Sequence, residues 1–166
     1  MPILREGELD IISHSPEQTK RLGYRLGKLL QPGDVVCLSG DMGAGKTMFS
    51  AGIGAGWGTK NRITSPTYNL VHQHTREADD TILYHLDCYR MQSIDEVDTI
   101  GFDDMIENNG VLVIEWAERI TDALPEKHLW VELRVIEELR RSFILESNSD
   151  HYKKLVDTFR KIVFGG

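Results

Sequence analysis

Eight consecutive residues carry the clearest chemistry in this chain: Gly40, Asp41, Met42, Gly43, Ala44, Gly45, Lys46 and Thr47. A polyphosphate needs many N–H donors with no side-chain bulk in the way, and glycines at the first, fourth and sixth positions let a backbone wrap closely around it. Lys46 then supplies a cation for the β- and γ-phosphates, and the Thr47 hydroxyl is a hard oxygen ligand suited to Mg²⁺. The pattern is that of a P-loop, and it implies ATP bound with magnesium. A match at four fixed positions also arises by chance, so its surroundings decide. Asp34 to Ser39 is a β-branched run too short for a helix, it leads straight into the glycines, and a helix is expected to open at Lys46, so the order is strand, loop, helix.

Two acids are candidates for completing a metal site. Val111 to Ile114 is a continuous apolar run, as in a parallel strand covered on both faces, and it ends in Glu115 and Trp116. A carboxylate at the carboxyl end of a buried strand beside a P-loop can hold magnesium or its waters. Asp87 lies in a second strand, Ile82 to Tyr89, whose alternation puts Leu83, His85, Asp87 and Tyr89 on one face. Either acid could instead be a solvated strand-end residue, and chemistry alone does not choose between them. His72, His74 and His85 lack the acid or cysteine spacing of a transition-metal site, and Cys37 and Cys88 sit singly in apolar runs as core thiols of a reducing compartment. The acids from Asp95 to Asp104 read as a solvated helical face, and the chain holds no Gly-x-Ser-x-Gly nucleophile signature.

The elements that position these residues are legible in outline. Ser15-Pro16-Glu17-Gln18 caps a helix whose apolar stripe, Leu22, Leu26, Leu29 and Leu30, runs to Pro32-Gly33. The P-loop helix carries Gly52, Gly54, Gly56 and Gly58, which weaken its second half and place its end near Gly56. Tyr68 to His74 reads as a strand, Ser93 to Glu96 as a capping box, and Phe102 to Glu107 as a short helix. Leu129 to Val135 and Ser142 to Glu146 form a hairpin, and an amphipathic helix starts at Asp150. The expected architecture is one α/β domain spanning 1–166: a P-loop NTPase fold with a mostly parallel central sheet, an antiparallel edge and helices on both faces. With 166 residues and a formal net charge of −7, the chain has room for one core and no basic face for nucleic acid. No apolar run approaches the roughly 20 residues that span a bilayer, and the expected location is the cytoplasm.

Four blocks in order, the P-loop, Ser65-Pro66-Thr67-Tyr68, His85-Leu86-Asp87-Cys88-Tyr89-Arg90 and Ile114-Glu115-Trp116, resemble the TsaE family of bacterial tRNA threonylcarbamoyladenosine biosynthesis ATPases. The resemblance runs from about Ser15 to Trp116. It implies that Thr67 lies in a switch-like loop facing the γ-phosphate, that Asp87 and Glu115 serve magnesium or catalysis alongside Lys46, and that Met48 and Trp116 adjoin the nucleotide. It also implies an accessory ATPase acting on a heterodimer of the TsaB and TsaD proteins, with tRNA contacted through those partners. Met42, Met48, Cys88 and Ala117 stand where the family more often has Leu, Thr, an aliphatic residue and Pro. Two other readings share the P-loop: a small-molecule kinase, which would need an Arg-rich lid, and a nucleotide-gated binding module whose hydrolysis is incidental.

Overall fold

A computed structural model describes residues 7–61 and 70–165. The expectations for Thr67 and its Ser-Pro-Thr-Tyr block therefore lie outside the described residues.

The chain runs β1 (Glu8–Ser13), α1 (Pro16–Gly27), β2 (Val35–Gly40), α2 (Lys46–Trp57), β3 (Val71–His74), β4 (Leu83–Asp87), α3 (Glu96–Thr99), α4 (Phe102–Glu107) and β5 (Val111–Glu115). A 3₁₀ segment (Ala117–Ala123), β6 (Leu129–Val135), β7 (Arg141–Ser147) and α5 (Asp150–Phe164) complete it. The seven strands form one sheet in the order β1-β7-β6-β2-β5-β4-β3. At its centre β6, β2, β5 and β4 are parallel. The sequence suggested a single antiparallel edge, whereas antiparallel pairs close both sides: β3 on β4, and the β6–β7 hairpin extended by β1. β3 and β4 are near neighbours in the chain and need no crossover, which is why they pair antiparallel.

The two faces of the sheet are covered differently. Val36 and Leu38 of β2 and Val111 and Val113 of β5 point into a core built with Leu22 and Leu26 of α1, Phe49 and Ile53 of α2 and Phe159 of α5. The alternate residues, Val35, Cys37, Leu112 and Ile114, meet Val97, Phe102 and Met105 from α3 and α4, with Ala117 and Ile120 of the 3₁₀ segment. Central strands buried on both faces explain the unbroken apolar run of β5.

Local signals decide the helix ends. Ser15 caps α1 by accepting a hydrogen bond from the Gln18 N–H at 3.1 Å. Gln18 returns its side-chain oxygen one residue further back than a capping box requires, to the His14 N–H at 2.6 Å. α1 ends at Gly27, ahead of Leu29 and Leu30, which continue as a turn. At Ser93 the box is incomplete: its hydroxyl takes the Asp95 N–H, and α3 begins later, at Glu96.

The glycines of α2 have a reason that sequence periodicity does not show. A Cβ on Gly52 or Gly56 would collide with the carbonyl oxygens of Lys20 and Tyr24, and one on Gly23 or Gly27 with those of Phe49 and Ile53. The two helices touch backbone to backbone, each offering two glycines to the other. We expect Gly27→Ala and Gly56→Ala each to lower stability by about 1–3 kcal/mol through overpacking, against the roughly 1 kcal/mol that alanine gains in helix propensity. The urea unfolding midpoint of each variant measures the net sign.

Candidate functional site

β2 ends at Gly40, where φ is 134° and a Cβ would strike the Leu133 carbonyl oxygen of β6, so the chain leaves the sheet through a position that excludes any side chain. Asp41 and Ala44 close a turn, with the Ala44 N–H on the Asp41 carbonyl at 3.1 Å, and Ala44 is buried beneath it. Met42 at the tip is exposed. Gly45, at φ 103°, is the N-cap of α2 and offers no side chain to the first turn, which also contains no acid. The first N–H groups of a helix have no intrahelical acceptor, and here neither a cap nor a carboxylate competes for them, so the positive end of α2 is left for an external anion.

Lys46 is 5% exposed, yet its amine is well placed. Nζ donates to the carbonyls of Gly40 at 2.5 Å and Asp41 at 2.7 Å and lies 4.2 Å from the centre of the Trp116 ring. Burial pulls its pKa down from the usual lysine value, opposed by the carboxylates of Glu118, Glu115, Asp41 and Asp87.

The carboxylates come from the sheet. In one row across the parallel strands, Leu38 of β2 stands beside Glu115 of β5, and Glu115 beside Asp87 of β4. Glu115 is 2% exposed and is held at both oxygens: Oε1 accepts from the Thr47 hydroxyl at 3.0 Å, and Oε2 meets Nε2 of His85. Asp87 is half-buried and accepts the Tyr89 N–H at 3.0 Å through Oδ1. Burial raises its pKa above the usual carboxylate value, which the Tyr89 N–H counters.

Trp116 follows β5 in the left-handed region, φ 58° and ψ 40°, a costly conformation for a bulky residue and one that tends to mark functional segments. There its ring packs on Tyr89 at 4.9 Å between centroids, with the Arg119 guanidinium 5.5 Å from Tyr89 and 5.7 Å from Trp116. The residues line a cavity of about 330 Å³ walled by Met42, Gly43, Gly45 to Met48, Asp87, Tyr89, Glu115 and Trp116. On the other side of the loop the β6–β7 hairpin leans in, and Arg141 donates to the Gly43 carbonyl at 3.3 Å.

Residues 13–143 match the family described as Threonylcarbamoyl adenosine biosynthesis protein TsaE. The chain belongs to the TsaE family. A tRNA threonylcarbamoyladenosine biosynthesis protein TsaE from Treponema pallidum is 41% identical over 126 residues, 75% of this chain and 90% of that protein. The Bacillus subtilis protein of the same name is 33% identical over 145 residues, 86% and 88% of the two chains. The crystal structure of Bacillus subtilis YdiB superposes with a TM-score of 0.77 at 28% identity, covering 93% of this chain and 95% of that one.

In this TsaE-family chain the fold thus brings together nearly all the residues singled out by sequence. Lys46, Thr47, Met48, Asp87, Glu115 and Trp116 line one cavity with the loop glycines, and the carbonyls of Gly40 and Asp41 hold the lysine. Sequence reasoning missed Tyr89 as a wall residue, Arg119 behind it and His85 behind Glu115. His85 was visible as the residue sharing a face with Asp87, but nothing in the pattern says which neighbouring strand it faces. The Thr47 to Glu115 bond is open to a direct check. Thr47→Val keeps the shape and removes the donor, and it should cost about 1–3 kcal/mol, the range for leaving a buried polar group unsatisfied, in chemical denaturation without nucleotide.

Proposed function

We propose that this protein is a magnesium-dependent ATPase of tRNA N6-threonylcarbamoyladenosine biosynthesis, working in the cytoplasm on the complex of the TsaB and TsaD proteins. The observation that carries the ATPase reading is the meeting of Thr47 and Glu115 at the uncapped start of α2, with the Lys46 amine buried beside them. A threonine hydroxyl and a carboxylate are hard oxygen donors, and with Asp87 next to Glu115 in the sheet the set fits Mg²⁺. Thr47, Glu115 and Asp87 would hold the ion, which when bound neutralises phosphate charge. The pathway rests on family membership and on the names that the relatives carry, and the TsaB and TsaD partners rest on what the family resemblance implies.

The chain's own residues perform the remaining tasks. The loop N–H groups and the α2 terminus bind and orient the phosphates, and Lys46 exchanges its carbonyl partners for phosphate oxygens and meets charge that grows on the γ-phosphate as water attacks in line. Trp116 and Tyr89 wall that side of the cavity. A P-loop ATPase without an arginine over the γ-phosphate turns over slowly, and such a group supplied by a partner then ties hydrolysis to assembly.

The kinase reading needs arginines that close over the phosphates, and each arginine of the late hairpin already has a partner. Arg134 is paired with Glu132, Arg140 with Glu137, and Arg141 is engaged by the carbonyls of Glu137, Glu138, Arg140 and Gly43. Hydrolysis of γ-labelled ATP should release free phosphate, slowly alone and faster with the TsaB and TsaD proteins; label moving to a metabolite, or a rate indifferent to both partners, would count against this function. Lys46→Ala should weaken ATP binding about 100-fold, the equivalent of about one to two charge-assisted hydrogen bonds, as measured by calorimetry.

A further inference from the structure

His85 sits in the middle of β4, opposite Val113 of β5, and is fully buried. An imidazole buried there costs desolvation that leucine or valine would avoid, so its bonds have to offset that cost. One nitrogen, Nε2, is engaged with Glu115 Oε2, while Nδ1 has no partner among the described residues. A histidine serving the core in general would satisfy backbone groups around it. This one is aimed at a single carboxylate.

That carboxylate is the one whose other oxygen takes the Thr47 hydroxyl at 3.0 Å. A glutamate reaches its target through three rotatable bonds, and holding one oxygen from behind selects a single orientation for the other. β4 delivers both parts of the arrangement, since Asp87 follows His85 on the same face and pairs with Glu115. Ligand carboxylates at metal sites are commonly fixed from behind by such hydrogen bonds, whose loss weakens metal affinity by about 10–100-fold.

We propose that His85 is a positioning residue: it fixes Glu115 as a ligand for the divalent cation and has no part in binding the nucleotide itself. The inference rests on the magnesium-nucleotide reading of the cavity. Removing His85 leaves Glu115 Oε2 buried without its partner and frees the carboxylate to turn away from Thr47 and the cation position. Cation affinity then falls, while cation-free nucleotide binding, carried by the loop N–H groups and Lys46, stays as it was.

The test uses the full chain with His85→Leu, His85→Asn and His85→Gln. Glutamine reaches far enough to place an amide N–H near the position of Nε2, and asparagine does not. Binding of a fluorescent ADP analogue is titrated in EDTA and across a Mg²⁺ series, Mn²⁺ binding in the presence of ADP is followed by electron paramagnetic resonance, and thermal melting reports folding. The expected result is a cation midpoint raised about 10–100-fold in the Leu and Asn variants, unchanged nucleotide affinity in EDTA, and recovery in the Gln variant. Three results would overturn it: a Leu variant with the wild-type cation midpoint, an equal loss of nucleotide affinity with and without cation, or a Gln variant as weak as Asn. Should the Leu variant not fold, the Gln and Asn pair decides on the same criteria. A wild-type protein whose nucleotide binding ignores Mg²⁺ would instead sink the underlying reading, and the inference with it.

Discussion

The parallel pairing of β2 with β5 is the constraint from which the site follows. Its register sets Leu38 beside Glu115, two residues before the chain turns out of the sheet at Gly40. Because side chains alternate along a strand, a slip of one residue would send Glu115 to the α3–α4 face, away from Thr47. What prevents the slip is the two-sided core: Val111 and Val113 belong to one face, Leu112 and Ile114 to the other, and each has its own partners there. The position of the Glu115 carboxylate is thus enforced by four aliphatic residues that do no chemistry.

The polar groups gathered by that register would be a liability if any were left alone. Lys46, His85 and Glu115 are buried together, and burying a charge is tolerable only with partners. The lysine uses loop carbonyls, and the glutamate uses a hydroxyl and an imidazole. Asp87 is less well supplied, which is why burial raises its pKa. Such a cluster is electrostatically unfavourable without a ligand, which is the cost to the fold of the cation and phosphate site proposed for it.

Sequence made some of this legible and hid the rest for identifiable reasons. The strand-loop-helix order around Lys46 is local, and so is the alternation that puts His85 and Asp87 on one face. The termination of β5 in Glu115 was equally plain, because an acid directly after four apolar residues marks where a buried strand runs out of core. Contacts between distant segments were not legible. Gly52 and Gly56 look like helix breakers until α1 is set against them, and the second antiparallel side of the sheet depends on β1 returning to β7 from the other end of the chain. The 3₁₀ segment after Trp116 escaped notice because its start depends on a left-handed tryptophan, which no pattern of residue types announces.

The glycine contact between α1 and α2 also determines where the protein can yield. Helices that pack through side chains slide by small rotamer adjustments, the usual means by which packed elements shear past one another. Backbone against backbone leaves little such compliance, so α1 and α2 act as one body behind the loop that follows β2. A displacement driven from the cavity then has to carry both helices together or be taken up on the opposite wall, at Trp116 and the segment that follows it.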